Sequence, residues 1–108
     1  MRPGPVVVVL FGLALTLAAA GAGAQEMSPS VRGKKVFVDQ GCYGCHLVEK
    51  FGSAIGPDLS HVGAKYPQPS LEQWLRDPAS QKPTAHMPKL QLSDAEVKAL
   101  AAYLASLR

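Results

Sequence analysis

Apolar and polar positions fall into blocks along this chain, and the clearest helical block closes it. In "LSDAEVKALAAYLASLR", residues 92–108, Val97, Leu100, Ala101 and Leu104 recur at the three- and four-residue spacing of one helical face. Ser93 and Glu96 stand at capping-box spacing just ahead of that face and predict where the helix starts. A second helix is predicted in "SPSVRGKKVFVDQG", residues 28–41, with Ser28 as cap, Pro29 suited to the first turn and Gly41 as stop. Within it Val31 and Val38 lie seven apart, and Gly33 and Phe37 four apart. The shorter "SLEQWLRDP", residues 70–78, places Ser70 and Gln73 at capping-box spacing and ends before Pro78. No run alternates with strand periodicity over a useful length, and no segment repeats. Gly, Pro and Ser are frequent in 52–69 and 78–92, which predicts ordered loops there. The expected class is therefore all-α, three main helices joined by long loops. Such loops need a surface to pack on, and three short helices do not obviously supply one.

The densest apolar run precedes all of this. "VVVVLFGLALTLAAA", Val6 to Ala20, is broken only by Gly12 and Thr16, follows Arg2, and leads into Ala22-Gly23-Ala24. A basic start, an apolar middle and a small-residue cleavage signature are the layout of a secretory signal peptide. The expected organisation is a signal peptide over 1–24 and one domain over 25–108. The competing reading is an uncleaved membrane anchor, since counting through Ala24 lengthens the run to about 19 residues, near the minimum for a bilayer span. Both readings put the remainder in an exported, oxidising compartment, which in a bacterium is the periplasm.

Composition sharpens the picture only in part. The chain of 108 residues is 47% hydrophobic and carries a net charge of +3. Arg2 is the one basic residue before position 25, so ten of the eleven Lys and Arg remain in the domain against eight Asp and Glu. This mild excess lacks the Arg-rich or aromatic-interleaved stripe of a nucleic-acid binder. It is enough to bias docking onto an acidic protein. The lysines at 34, 35, 50, 65, 82 and 89 could ring one edge, although each is more simply a solvated side chain. A domain this small usually needs a staple from disulfides, metal or another group. With two cysteines in the chain, the staple has to be something else.

The candidate is in "CYGCH", residues 42–46. Cys42, Cys45 and His46 form Cys-x-x-Cys-His, the attachment sequence of a c-type heme. Thiols three residues apart project from one side of a helical turn, where each can bond a vinyl group of the porphyrin, and His46 can then offer an imidazole to the iron. A thioredoxin-like dithiol would sit beside a βαβ pattern, which is missing. A zinc site would want a second ligand pair, and the other histidines are only His61 and His86. A disulfide across three residues closes too small a loop to stabilise much. Covalently bound heme c would be the missing staple, with the loops wrapped around it. The sixth position on its iron has four candidates: Met87, in the Pro-bracketed "TAHMPKL", His86, His61 and Met27.

These residues together resemble a class I monoheme cytochrome c of the small bacterial, exported type, over nearly all of the domain. The resemblance is carried by Gly33 and Phe37, "CYGCH", "GPDL" at 56–59, Trp74, "MP" at 87–88, and Leu100 with Tyr103. It implies that the first and last helices cross at Gly33, with Phe37 packing near Leu100 and Tyr103. It implies Met87 as the distal iron ligand opposite His46. It further implies that the carbonyl of Pro57 accepts a hydrogen bond from Nδ1 of His46, and that Trp74 approaches a heme propionate. Ordinary packing with Leu71 and Leu75 explains Trp74 equally well.

The expected function is single-electron transfer between a donor and an acceptor protein met by transient docking, with no catalytic substrate, no nucleic acid, and membrane contact only through an uncleaved first segment. The domain would be a monomer or a subunit of a hetero-complex. Two alternatives remain at this point: the heme subunit of a periplasmic oxidoreductase, such as one oxidising sulfur compounds or alcohols, and a ligand-binding or peroxidatic heme protein in which Met87 dissociates.

Overall fold

The computed structural model describes residues 2–12, 14 and 27–108. The expected cleavage point after Ala24 lies outside the described residues. Residues 2–12 and 14 carry no regular secondary structure. Among the described residues, no helix is long and apolar enough to cross a membrane.

The first helix, α1 (Pro29–Asp39), starts where its cap predicts: the Ser28 side chain accepts a hydrogen bond from the backbone N–H of Val31. It ends at Gly41, which adopts the left-handed conformation. The face it buries is Gly33 and Phe37; Val31 and Val38, the pair spaced by seven, are both half exposed. A tight turn, Cys42–Gly44, follows as a 3₁₀ helix, and then β1 (Leu47–Val48) pairs antiparallel with β2 (Phe51–Gly52). This two-residue hairpin is too short to leave an alternation in the sequence.

The loops hold two single-turn helices, α2 (Val62–Lys65) and α4 (Pro78–Gln81), flanking α3 (Gln68–Arg76). The expected start of α3 at Ser70 is displaced. The helix begins two residues earlier behind Pro67, whose carbonyl accepts from the N–H groups of Ser70 and Leu71, and the Ser70–Gln73 capping box does not form. Pro69 sits in the first turn, where its missing N–H costs nothing. The end before Pro78 is as expected. The last helix, α5 (Asp94–Ser106), has both halves of its capping box: Ser93 Oγ accepts from the Glu96 N–H at 3.1 Å, and Glu96 accepts from the Ser93 N–H at 3.0 Å.

α5 is the central element, packed against α1, α2 and α3. Where it crosses α1, a Cβ on Gly33 would lie 1.9 Å from the Ala99 carbonyl oxygen and 2.7 Å from Cβ of Tyr103. No side chain fits there. The backbones therefore close on each other and bury Phe37 beside Val97, Leu100 and Tyr103, with Leu71, Leu75 and Val62 extending the cluster. Phe37 and Leu100 are essentially inaccessible. Each such side chain contributes about 1.5–3 kcal/mol on burial. The helices thus supply a compact apolar surface after all, and the chain leading to and from Cys42 runs along its border. The outer rim is tied by ion pairs: Asp94 joins Arg76 on α3 to Lys98 on its own helix.

Candidate functional site

The tight turn after α1 is what positions the cysteines. The carbonyl of Cys42 accepts from the N–H groups of both Cys45 and His46, at 3.2 and 2.9 Å. A 3₁₀ turn has three residues per turn, so side chains three apart are eclipsed. Cys42 is half-buried and Cys45 exposed, and both are free thiols. Burial pushes the Cys42 thiol above its ordinary range, with the neighbouring Cys45 acting in the same direction.

His46 is fixed by the loop that follows. Its Nδ1 lies 2.7 Å from the backbone carbonyl oxygen of Pro57. A carbonyl can only accept, so Nδ1 carries the proton and Nε2 is left with its lone pair. Gly56 makes this possible. Its N–H donates to the Cys45 carbonyl at 2.5 Å, and a Cβ on it would lie 2.8 Å from Cε1 of the imidazole. The loop is held against the hairpin by Leu59, whose N–H donates to the Leu47 carbonyl at 2.8 Å, and by Ser60, whose hydroxyl accepts from the Glu49 N–H at 2.6 Å. Asp58 accepts from both the hydroxyl and the N–H of Ser60, which lowers its carboxyl below the ordinary value.

Tyr43, inside the motif, stands edge-on to Phe37 with ring centroids 4.7 Å apart; Tyr103 tilts against the same ring at 5.5 Å. Burial, with Tyr43 alongside, pushes the Tyr103 phenol up to about 12. The aromatic triad links the cysteine turn directly to the α1–α5 crossing.

The four candidates for a second iron ligand are placed differently. His61 and His86 are exposed, and Met27 is half exposed at the edge of the described residues. Met87 is half-buried and borders the same apolar cluster as Cys42, Tyr43 and Leu59. Its sulfur accepts a hydrogen bond from Nε1 of Trp74, 3.2 Å away on α3. That contact leaves no trace in the sequence, where the two residues stand thirteen apart. Among the described residues, no three His, Cys, Asp or Glu side chains converge as a metal site, the arrangement a zinc centre would need.

Two free thiols on one helical turn, an imidazole with a free Nε2 beside them, and a thioether on the same apolar border form a donor set suited to a covalently held iron porphyrin. They do not suit a hard-cation site.

Comparison with known proteins agrees. The family model described as cytochrome c matches residues 30–108. The chain belongs to the cytochrome c family. It is 38% identical over 86 residues, 71% of its own length, to the second subunit of the cytochrome c oxidase of Alkalihalophilus pseudofirmus. It is 31% identical over 86 residues, 73% of its length, to a subunit of the nitric oxide reductase of Stutzerimonas stutzeri. The matched stretches cover 25% and 59% of those proteins. Members of the family are electron-transfer proteins that hold heme c covalently through cysteines, and Cys42 and Cys45 stand at the spacing that does so.

Proposed function

We propose that residues 25–108 form an exported, periplasmic electron-transfer domain in which His46 and Met87 are the two axial ligands of a single heme c and the loops close around it. Bound there, the heme supplies a one-electron ferrous/ferric couple. The chain's own residues do the rest. Cys42 and Cys45 anchor the group so that it cannot dissociate. The His46–Pro57 hydrogen bond fixes the imidazole in one tautomer and orientation and raises the basicity of Nε2. The Met87 thioether completes the coordination from a neutral, soft donor, and a His/Met pair favours a high potential. With both ligands retained in either oxidation state, little rearrangement accompanies each electron and no site is left for a substrate.

The observation that carries this reading is the position of Met87, which alone among the four candidates lies half-buried against the cluster bordered by Cys42. Its test is the visible and near-infrared spectrum of the purified protein, together with carbon monoxide binding to the ferrous form. Six-coordinate His/Met iron leaves carbon monoxide little access; ready binding would favour a ligand-binding or peroxidatic protein.

The relatives favour a second reading on the question of partners. Both are named as subunits, of an oxidase and of a reductase, and both are longer than the stretch matched here. The domain would then pass electrons inside a hetero-complex and would itself have no catalytic role. Purification from the native host distinguishes the two: a stable stoichiometric complex supports the subunit, a monomer supports the carrier that docks transiently on its donor and acceptor.

A further inference from the structure

The crossing at Gly33 settles which side of α1 is left outside. Gly33 and Phe37 are its buried residues. At about 100° per residue, Val31 and Val38 fall roughly on the opposite side of the helix, with Lys34 along one edge of the pair and Lys35 along the other. Val31 and Val38 are each 52% exposed, and Met27, just before the Ser28 cap, is 48% exposed. Lys34 and Lys35 are exposed as well. The helix carries three cations, Arg32, Lys34 and Lys35, against one acid, Asp39, which pairs with Lys35 at 2.5 Å. The outcome is a short apolar strip edged by positive charge, on the side of α1 turned away from α5.

We propose that this face of α1 docks the domain on the surface of an anionic lipid bilayer, with Met27, Val31 and Val38 entering the headgroup layer and Lys34 and Lys35 reaching lipid phosphates. The inference goes beyond the electron-transfer reading and does not depend on which residues bind the iron. Three features select a bilayer over a protein. The exposed parts of two valines and a methionine are a small fraction of the about 800 Å² a side that a stable protein interface buries. A lipid surface sets no such requirement: each cation held near it strengthens association about five-fold, and lysine stems lie along apolar surface while their ammonium groups reach the phosphates. A second copy is a poor occupant, because two such faces would bring their lysines together. Finally, α1 is the helix that the N-terminal apolar run leads into. Eight residues, 21–28, separate Ala20 from Pro29, and fully extended they reach at most about 30 Å. A run held in a bilayer confines α1 within that distance of it, so a contact that is weak by itself is enough. Docked in this way, α5 and the apolar cluster lie on the far side of α1 from the lipid, and the Cys42 turn follows the end of the helix remote from the run.

The test is the labelling rate of each lysine by a water-soluble acylating reagent, read by mass spectrometry on the full-chain holoprotein. It is measured without vesicles, with vesicles of phosphatidylcholine alone, and with vesicles of phosphatidylcholine and phosphatidylglycerol in equal parts. The mixed vesicles are expected to slow labelling of Lys34 and Lys35 several-fold and to leave Lys65, Lys82 and Lys89 unchanged; phosphatidylcholine alone should protect none of them, and added salt should remove the protection. Lys34→Gln is expected to raise the lipid concentration for half-maximal protection of Lys35 about five-fold. Val31→Ser combined with Val38→Ser should abolish the protection while keeping the wild-type visible spectrum and urea midpoint, since neither valine belongs to the core cluster. The readout is on α1 itself, so attachment through residues 6–20 alone leaves Lys34 and Lys35 fully reactive and overturns the proposal. Equal protection of all the lysines, which marks adsorption without a preferred face, overturns it, as does protection that survives the double valine variant. Lysines 34 and 35 that stay reactive on the mixed vesicles but are shielded in a complex purified from the native host would give this face to a protein partner instead.

Discussion

Nδ1 of His46 sits 2.7 Å from the carbonyl oxygen of Pro57, and the loop can approach that closely because residue 56 has no side chain. A methyl group at 56 would stand 2.8 Å from Cε1 and 3.0 Å from Nδ1 of the ring. Gly56→Ala should therefore rotate the imidazole or push the loop away, weakening the bond to Pro57. An overpacking cost of about 1–3 kcal/mol is expected, read as a lower urea midpoint with unchanged slope. The potential should rise, since the imidazole becomes less basic. Unchanged stability together with an unchanged potential would show that the loop does not hold the ring.

Gly33→Ala tests the crossing that builds the core. Helix propensity alone would make the alanine variant more stable by about 1 kcal/mol. The Cβ would meet the Ala99 carbonyl oxygen at 1.9 Å, and that atom belongs to a backbone that cannot rotate away. Net destabilisation of about 1–3 kcal/mol is expected from overpacking, with the Phe37–Tyr103 contact loosened. A stabilised variant in chemical denaturation would contradict the close approach of α1 and α5.

Tyr103 gives a pH prediction with a definite sign. Burial raises its phenol from the ordinary 10 to about 12, so the folded protein holds the proton over a range in which the unfolded chain has lost it. The stabilisation is complete below about pH 10 and is lost as pH rises toward 12. Tyr103→Phe has no proton to lose and should flatten stability across that window, measured as the urea midpoint against pH. A decline as steep as that of the wild type would assign the alkaline loss to another group.

Cys42→Ala and Cys45→Ala should each leave one thioether. The remaining thioether should still hold the heme against acidified organic solvent, the vinyl group left unsaturated should move the pyridine hemochrome band to longer wavelength than in the wild type, and less folded holoprotein should accumulate. Cys42 is the more sensitive position, because it also packs against the core while Cys45 is exposed. A variant that folds fully without heme would show that the helical cluster is self-sufficient.

How much of this was written in the sequence depends on how local each feature is. The capping box of α5 and the Ser28 cap of α1 could be read directly, because every partner lies within three residues. The start of α3 could not: Ser70 and Gln73 fit a capping pattern, yet Pro67 and Pro69 shape the chain first and move the start to Gln68. Val31 and Val38 illustrate the limit of spacing alone. They repeat at seven, but the tight crossing at Gly33 turns that side of α1 inward and leaves both valines half exposed. In the site, Cys-x-x-Cys-His identified the heme anchor without any structure. The Trp74–Met87 hydrogen bond depends on how α3 and the loop before α5 meet, and no periodicity encodes that.

The central claim is that Met87 coordinates the iron opposite His46, and the most direct test is the near-infrared absorption of the ferric protein at neutral pH. The account predicts an iron–thioether charge-transfer band in the wild type that is abolished in Met87→Ala. A wild-type spectrum without the band, or a band that survives in Met87→Ala, would contradict it.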